Sequence, residues 1–409
     1  MSVTWLLAWR NLWRHRRRTW LTVGAMVFCN VLLIFLISLQ LGSYQMMINN
    51  SLAAYTGHMQ VQHKDYREEQ RMRLSVPGAA ELARQVRAEL GVDTVAARGV
   101  AFALASSEER SFGVMLSGVQ AEFEAGVSTF PGLVKRGRYL QSGDYEHIVI
   151  GAVLARNLKV DLGDELTFLG SGRDGSFAAG VATVAGILES GMEEIDRSVA
   201  QVPLDWFQEV FAMGDHGHSV VIRVPGLEQV AAAVPRVEAL VVDQPELVVL
   251  DWEALEPGLR QAIVSDLVSG WFMYAVLIVL VAFSVLNTQL MSVLERTREF
   301  GVMLALGMGP GRLARLVGME TLLMSALGLG LGVALGAVLT WYLSVVGFAY
   351  PGMEELGAKF NMPGRMYPEI SFLSLLWGPV VVFLGALLAA IYPAMRLFRL
   401  APVEAMRAV

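Results

Sequence analysis

Four stretches of this chain are apolar almost without interruption, and one long stretch alternates. The four are Trp20–Leu41, Leu267–Leu294, Val317–Val346 and Phe372–Leu397. A helix needs about 20 mostly apolar residues to cross a hydrocarbon core, and each segment is long enough. The longer ones are expected to tilt or to project past the bilayer. Between the first two lies a different pattern. HMQVQH at 58–63 has the period of two of a strand, and GAAELARQVRAEL at 78–90 has the period of an amphipathic helix. Val114–Val119, His147–Ile150, Glu165–Leu169 and Val181–Leu188 read as further short strands, with a glycine-rich turn at Gly170–Gly175. Residues 226–239 read as a helix interrupted at Pro235, and Leu247–Leu250 as a strand. The predicted fold is a membrane protein with four transmembrane α-helices and a large α+β extracytoplasmic domain between helices 1 and 2, in one or two subdomains.

The predicted divisions are an interfacial amphipathic helix at 1–19, spans at 20–44, 267–294, 317–346 and 372–397, and the outer domain at 45–266. A cytoplasmic coupling segment fills 295–316, an outer loop 347–371 and a tail 398–409. Trp5, Trp9 and Trp13 recur every four residues among arginines, which describes a helix lying in the membrane interface. Arg10, Arg14, Arg16, Arg17 and Arg18 precede the first span, as in a signal peptide. The apolar core is too long for one, and Ser38–Tyr44 offers no small-x-small cleavage site, so a retained anchor is expected.

Charge sets the orientation. Arg296, Arg298, Arg312 and Arg315 follow the second span, and Arg396, Arg399 and Arg407 follow the fourth. The loop after the third has Lys359 and Arg365 against Glu354, Glu355 and Glu369. Four crossings put every basic cluster on one side, so both termini and the 295–316 connection are expected in the cytoplasm. Residues 45–266 hold 18 Lys/Arg against 31 Asp/Glu, leaving 14 against 7 elsewhere. That balance argues against a nucleic-acid partner. Overall 54% of residues are hydrophobic and 17% charged, too apolar for an ordinary soluble protein. The single cysteine, Cys29, lies in the first span and cannot form an intrachain disulfide.

Candidate chemistry is sparse. His216-Gly-His218 offers two ligands where a tetrahedral site needs four, so a solvated loop is expected and no metal site. Glu193, Glu194 and Asp196 read as an acidic loop. Ser106-Ser107 and Ser117-Gly118 lack a nucleophile-elbow context. The spans carry the neutral polar residues Asn30, Asn287 and Gln289 but no hydrophilic path for an ion or a sugar. Glu320, at the start of the third span, reads either as an interface residue or as a pairing partner for Arg296, Arg298 or a neighbouring chain. Gly301 and Gly307, after the second span, would permit a tight turn or a close backbone approach. Gly328, Gly332 and Gly336 share one face of the third span, which points to close helix packing. No GxxxxGK[ST] occurs, so ATP hydrolysis by a P-loop would need another polypeptide.

LERTREFGVMLALGM at Leu294–Met308, Glu320, and YPAMRLFRLAPVEAMRA at Tyr392–Ala408 together resemble the FtsX-like permeases of ABC transporters. The N-terminal WRNLWRHRRRTWLT and GHMQVQ are similar to the lipoprotein-release branch. The segment SGVQAEF…GRYL…HIVIGAVLARNLKVDLGDELTF…VAGI resembles the periplasmic core domain of macrolide-exporter-type permeases. The resemblance implies a non-catalytic subunit of the bacterial inner membrane, paired with a second permease, identical or paralogous. Cytoplasmic ABC ATPases would use ATP and Mg, with no cofactor bound by this chain. Coupling would fall to Glu295, Arg296, Arg298, Glu299, Gly301, Leu304, Gly307, Arg312 and Arg315, with Glu320, Gly328, Gly332 and Gly336 in helix packing. It implies mechanotransmission, in which ATPase closure moves the second helix and the outer domain. The cargo expected is a lipoprotein or membrane lipid, passed to a periplasmic chaperone or adaptor. Adaptor-linked efflux, a scaffold that activates a cell-wall hydrolase, and a plain anchored binding domain stand as alternatives.

Overall fold

The computed structural model describes residues 3–14, 16–349, 351–353 and 364–399. In chain order these form helices α1 (Val3–Arg14), α2 (Arg16–Ser51), α3 (Tyr66–Glu69), α4 (Ala79–Leu90), α5 (Ala121–Val127), α6 (Ala152–Leu158), α7 (Glu193–Ser198), α8 (Leu204–Val210), α9 (Val230–Leu240), α10 (Trp252–Leu255), α11 (Pro257–Glu295), α12 (Thr297–Ala305), α13 (Pro310–Val346) and α14 (Phe372–Arg396). The strands are β1 (Met59–His63), β2 (Val95–Ser106), β3 (Ser111–Val119), β4 (Val134–Gly137), β5 (His147–Gly151), β6 (Glu165–Ser171), β7 (Phe177–Leu188), β8 (Val199–Pro203), β9 (Ser219–Ile222) and β10 (Leu247–Asp251). Of the expected loop 347–371, Lys359, Glu354 and Glu355 lie outside the described residues, as do Arg407 and the rest of the tail from 400.

Two compact units result. One comprises 1–46, 262–350 and 365–409, and the other 47–261 with 351–364. Among the described residues the helices long and apolar enough to cross a membrane are α2 with its π-helical extension to Thr56, α11, α13 and α14; the first unit holds α13, α14, α2 up to residue 46 and α11 from residue 262. Of these, α2, α11 and α13 outrun the apolar spans. With 39 residues, α11 is roughly 58 Å long at the helical rise, against a hydrocarbon core of about 30 Å. Glycines on one face of α13 set its packing. A Cβ at Gly328, Gly332 or Gly336 would meet Met26, Asn30 or Ile34 of α2 in turn. Asn30 is buried and donates its Nδ2 to the Gly328 carbonyl at 3.2 Å. At Gly332 the Cβ would lie 2.6 Å from Asn30 Cβ. Gly332→Leu should therefore push the two helices apart and cost about 1–3 kcal/mol by overpacking. A thermal melt of the detergent-purified chain checks this, and an unchanged midpoint would count against the packing.

The second unit is one α+β domain rather than two subdomains, because one ten-stranded sheet runs through it. Its order is β10-β1-β9-β2-β3-β8-β5-β7-β4, with β6 pairing β2 and β7. The pairs β3–β8 and β5–β7 are parallel. Ala101, Ala103 and Ala105 of β2 point into the core while Phe102 and Leu104 point out, as the period of a strand requires. One apolar cluster gathers Leu116, Ile148, Phe168, Trp206 and Phe207, and a second packs α4 and α9 on Met59, Val61 and Val220. The helix read as broken at Pro235 continues through it from Val230 to Leu240.

Three polar groups lie deeper than the sequence suggests. His218 is fully buried, not part of a solvated loop. Its Nδ1 accepts from the Val100 N–H at 3.0 Å and its Nε2 donates to the Met72 carbonyl at 3.2 Å. The acidic run at 193–196 is the helix α7, and Asp196 is buried, accepting from Ser190 N–H and Oγ. Arg98 forms a fully buried ion pair with Glu124, Nη2 to Oε1 at 2.5 Å, and also donates to the Tyr55 carbonyl.

Burial lowers the His218 pKa from 6.5 to about 4. Between those values unfolding takes up a proton that the folded side chain refuses. Stability contributed by the neutral ring is complete above 6.5 and declines as pH falls towards 4. The slope is at most ~1.4 kcal/mol per pH unit. Urea midpoints of the full chain across this range, compared with His218→Gln, check it. An equal slope in the variant would remove His218 as the cause.

Candidate functional site

The connection between α11 and α13 is built by three local breaks. Arg296 leaves helical geometry at φ −98 and ψ 9, separating α11 from α12. Gly307 has φ +93, a left-handed conformation that glycine adopts at no steric cost. Pro310 then opens α13 at the position where a missing N–H is harmless. The result is a short helix, α12, pinned under α13 by Phe300, which is fully buried among Val293, Leu313, Val317 and Leu397. Leu304 packs at the edge of this cluster.

Arg296 turns inward. Its Nη1 donates to both carboxylate oxygens of Glu320 at 3.0 Å. Its Nε reaches Glu299 at 3.4 Å, and its guanidinium lies 4.9 Å from the Phe300 ring centre. Glu320 is only 6% exposed and also accepts from Asn11 Nδ2 of α1 at 2.7 Å. Of the two readings of Glu320, the geometry is that of a pairing partner. Arg14 reaches Glu299 at 3.1 Å, and Arg18 reaches Glu295 at 2.9 Å. Such part-exposed pairs are worth about 0–1 kcal/mol each, so their importance is in setting position. A small cavity of about 30 Å³ lies within this knot, lined by Asn11, Arg18, Gln289, Arg296 and Glu320.

Helix α1 is not simply laid in an interface. Ala8 and Leu12 are buried with Leu316, Leu323 and Met324, and Trp5 and Trp13 pack against that cluster. Its tryptophan stripe thus faces protein in part. Asn11, Arg14 and Arg18 join the site, although their sequence pattern did not single them out. The signal was complementary charge: an N-terminal segment with arginines only, and a turn that carries two acids.

The remaining expected residues separate into two groups. Gly301 is buried inside α12, so it is a helix residue and not a tight turn. Arg298, Arg312 and Arg315 are exposed, with no ion pair among the described residues. Beside them Val302 and Leu306 are exposed, Leu306 to 83%. Three exposed cations and exposed apolar residues on the same connection offer groups that a partner could grip, and Leu306 was hidden because it continues the apolar rhythm of α12. Elsewhere His63, Asp65 and Glu246 bring possible ligand atoms within 4.8 Å. Glu246 is already paired with Lys64 at 2.9 Å, which weakens any claim to a cation there.

Two family models match the chain. Residues 271–402 match the FtsX-like permease C-terminal model, and residues 19–240 match the MacB-like periplasmic core domain model. A lipoprotein-releasing system transmembrane protein LolC from Xylella fastidiosa (strain 9a5c) is 27% identical over 73% of this chain and 74% of its own length. The LolC of Neisseria meningitidis serogroup B (strain ATCC BAA-335 / MC58) is 21% identical over 72% and 73%. Among solved structures, the periplasmic region of MacB from Actinobacillus actinomycetemcomitans covers 51% of this chain and 94% of that one, at 13% identity and a TM-score of 0.37. The chain is a multi-pass membrane protein and belongs to the FtsX-like ABC transporter permeases that carry a MacB-like periplasmic core domain.

Proposed function

We propose that this permease extracts lipid-anchored proteins from the outer leaflet of the bacterial inner membrane, driven by a separate cytoplasmic ATPase. The observation that carries the reading is the fixed knot at 295–320. Arg296 and Glu320 tie the end of α11 to α13 and α1, while Arg298, Arg312, Arg315 and Leu306 face outward, open to a motor. A force applied to that surface acts on a helix roughly 58 Å long. The basic clusters favour a cytoplasmic position for the surface. The LolC relatives support the cargo class, a lipoprotein.

A second permease completes the transporter. Only 11% of the apolar stretch of α11 is buried within the chain, so lipid or another permease must cover it. Depleting the permease should leave lipoproteins in the inner membrane. Unchanged lipoprotein localisation would overturn the cargo assignment. For the motor, Gly307→Val is expected to strain the turn by about 1–3 kcal/mol and to lower transport while ATP hydrolysis continues. Normal transport per ATP in that variant would remove the turn from the coupling path.

A further inference from the structure

The outer domain contains a cavity of about 240 Å³ lined by Tyr55, Gln60, Gln62, Tyr66, Met115 and Ser219, among others. Its floor is one face of the sheet. Residues directly opposite each other across strands share a face, which here links Gln62 to Ser219, Ser219 to Arg98, Phe102 to Met115, and Leu104 to Leu169. At one end of that face Gln60, Gln62 and Ser219 are polar and buried. At the other, Phe102, Leu104, Met115 and Val181 are apolar and open to solvent, Phe102 to 80%. Met115 belongs to both the cavity and the apolar strip. A buried polar row running into an exposed apolar row reverses what a sheet with a simple core would show.

The polar end has an unfilled acceptor. The Thr56 carbonyl can only accept, so Gln60 donates its Nε2 to it. The Oε1 of Gln60 then accepts from Gln62 Nε2 at 2.5 Å. That order leaves Gln62 Oε1 without a partner, although the residue is only 7% exposed. A buried acceptor left unmade is costly, so it fits a ligand that brings a donor. Arg67 also lines this end.

We infer that this face binds a single-headed amphiphile. Its head, bearing an O–H or N–H, occupies the Gln60–Gln62–Ser219 end, and its acyl chain lies along Met115, Phe102 and Leu104. The inference deepens the lipid-anchored cargo reading and rests on it for the identity of the occupant. A lipopeptide and a phospholipid share this chemistry.

The test places a photo-cross-linking benzoylphenylalanine at Phe102 in the full-length permease in nanodiscs, with exposed Val242 as the control position. One arm uses a synthetic triacylated Cys-Ser-Lys peptide, the other a phospholipid with the same acyl chains, each radiolabelled. Labelling by the lipopeptide at 102 should exceed that at 242 severalfold. Gln62→Leu should lower it by a similar factor in the same position, and Phe102→Asp, on the surface and harmless to the core, should weaken binding of the unmodified chain to the lipopeptide. Labelling by phospholipid alone would keep the site and overturn its cargo role. Equal labelling at 102 and 242, no effect of Gln62→Leu, or cross-linking only to a second copy of the chain would overturn the site. Lipoprotein release that depends on the permease while neither probe labels 102 would leave the transport reading standing and this site refuted.

Discussion

Glu320→Ala should destabilise the membrane unit by up to roughly 3–5 kcal/mol, because the buried Arg296 guanidinium then keeps only the part-exposed Glu299, 3.4 Å from its Nε, as counter-ion. Both side chains are less than a tenth exposed, so solvent cannot replace the lost partner. Asn11 would lose its acceptor as well. The loss should appear as a lower thermal midpoint in detergent and as easier proteolysis between α11 and α13. Arg296→Met combined with Glu320→Leu should recover much of that stability, since neither charge then remains. The double variant is still expected to transport poorly, because Glu299 loses one of its two arginines and α12 loses its fixed position. A single variant as stable as the parent would mean that the pair is not buried in the working protein.

Arg98→Met should have an effect of similar size in the outer domain, about 3–5 kcal/mol. It strands Glu124, which among the described residues then keeps Ser128 Oγ, at 2.7 Å, as its side-chain donor. It also frees the Tyr55 carbonyl, the acceptor that holds the π-helical turn Leu52–Thr56 to β2. Protease resistance of the outer domain within the full-length chain is the readout. Arg98→Met with Glu124→Leu should be far less damaged than either single variant. Equal damage in all three would assign the loss to packing volume, not charge.

The four apolar spans could be read directly, since length and hydropathy decide them. Six strands could be read as well, but β2, β4, β8 and β9 could not. VAARGVAFALAS, which forms β2, is buried on both faces from Val95 to Gly99 and alternates only from Ala101 onward, so it has no single period to detect. The strand β9 has only four residues, and β8 ends in Pro203, which reads as a stop. The helix through Pro235 continues although the proline removes an intrahelical N–H bond, because Val230, Ala233 and Val237 bury one face of it in the core.

The charged character of the candidate site was legible, but the direction of its side chains was not. The charged knot after the second span stood out, yet Glu295, Arg296 and Glu299 turn out to bind within the chain. Their partners Arg14, Arg18 and Glu320 lie on other helices, and composition alone cannot match distant charges. What faces outward is the set Arg298, Leu306, Arg312 and Arg315. The polar row on the sheet was hidden for a related reason, since Gln60 and Gln62 alternate like any surface strand.

The glycine stripe on α13 has a mechanical corollary. Met26, Asn30 and Ile34 sit in notches spaced four residues apart, about 6 Å along the axis. A smooth glide of one helix past the other would lift each side chain over a ridge, so intermediate offsets are disfavoured. The pair must either travel as a single rod or skip a whole notch, which makes its response to a push stepwise instead of elastic.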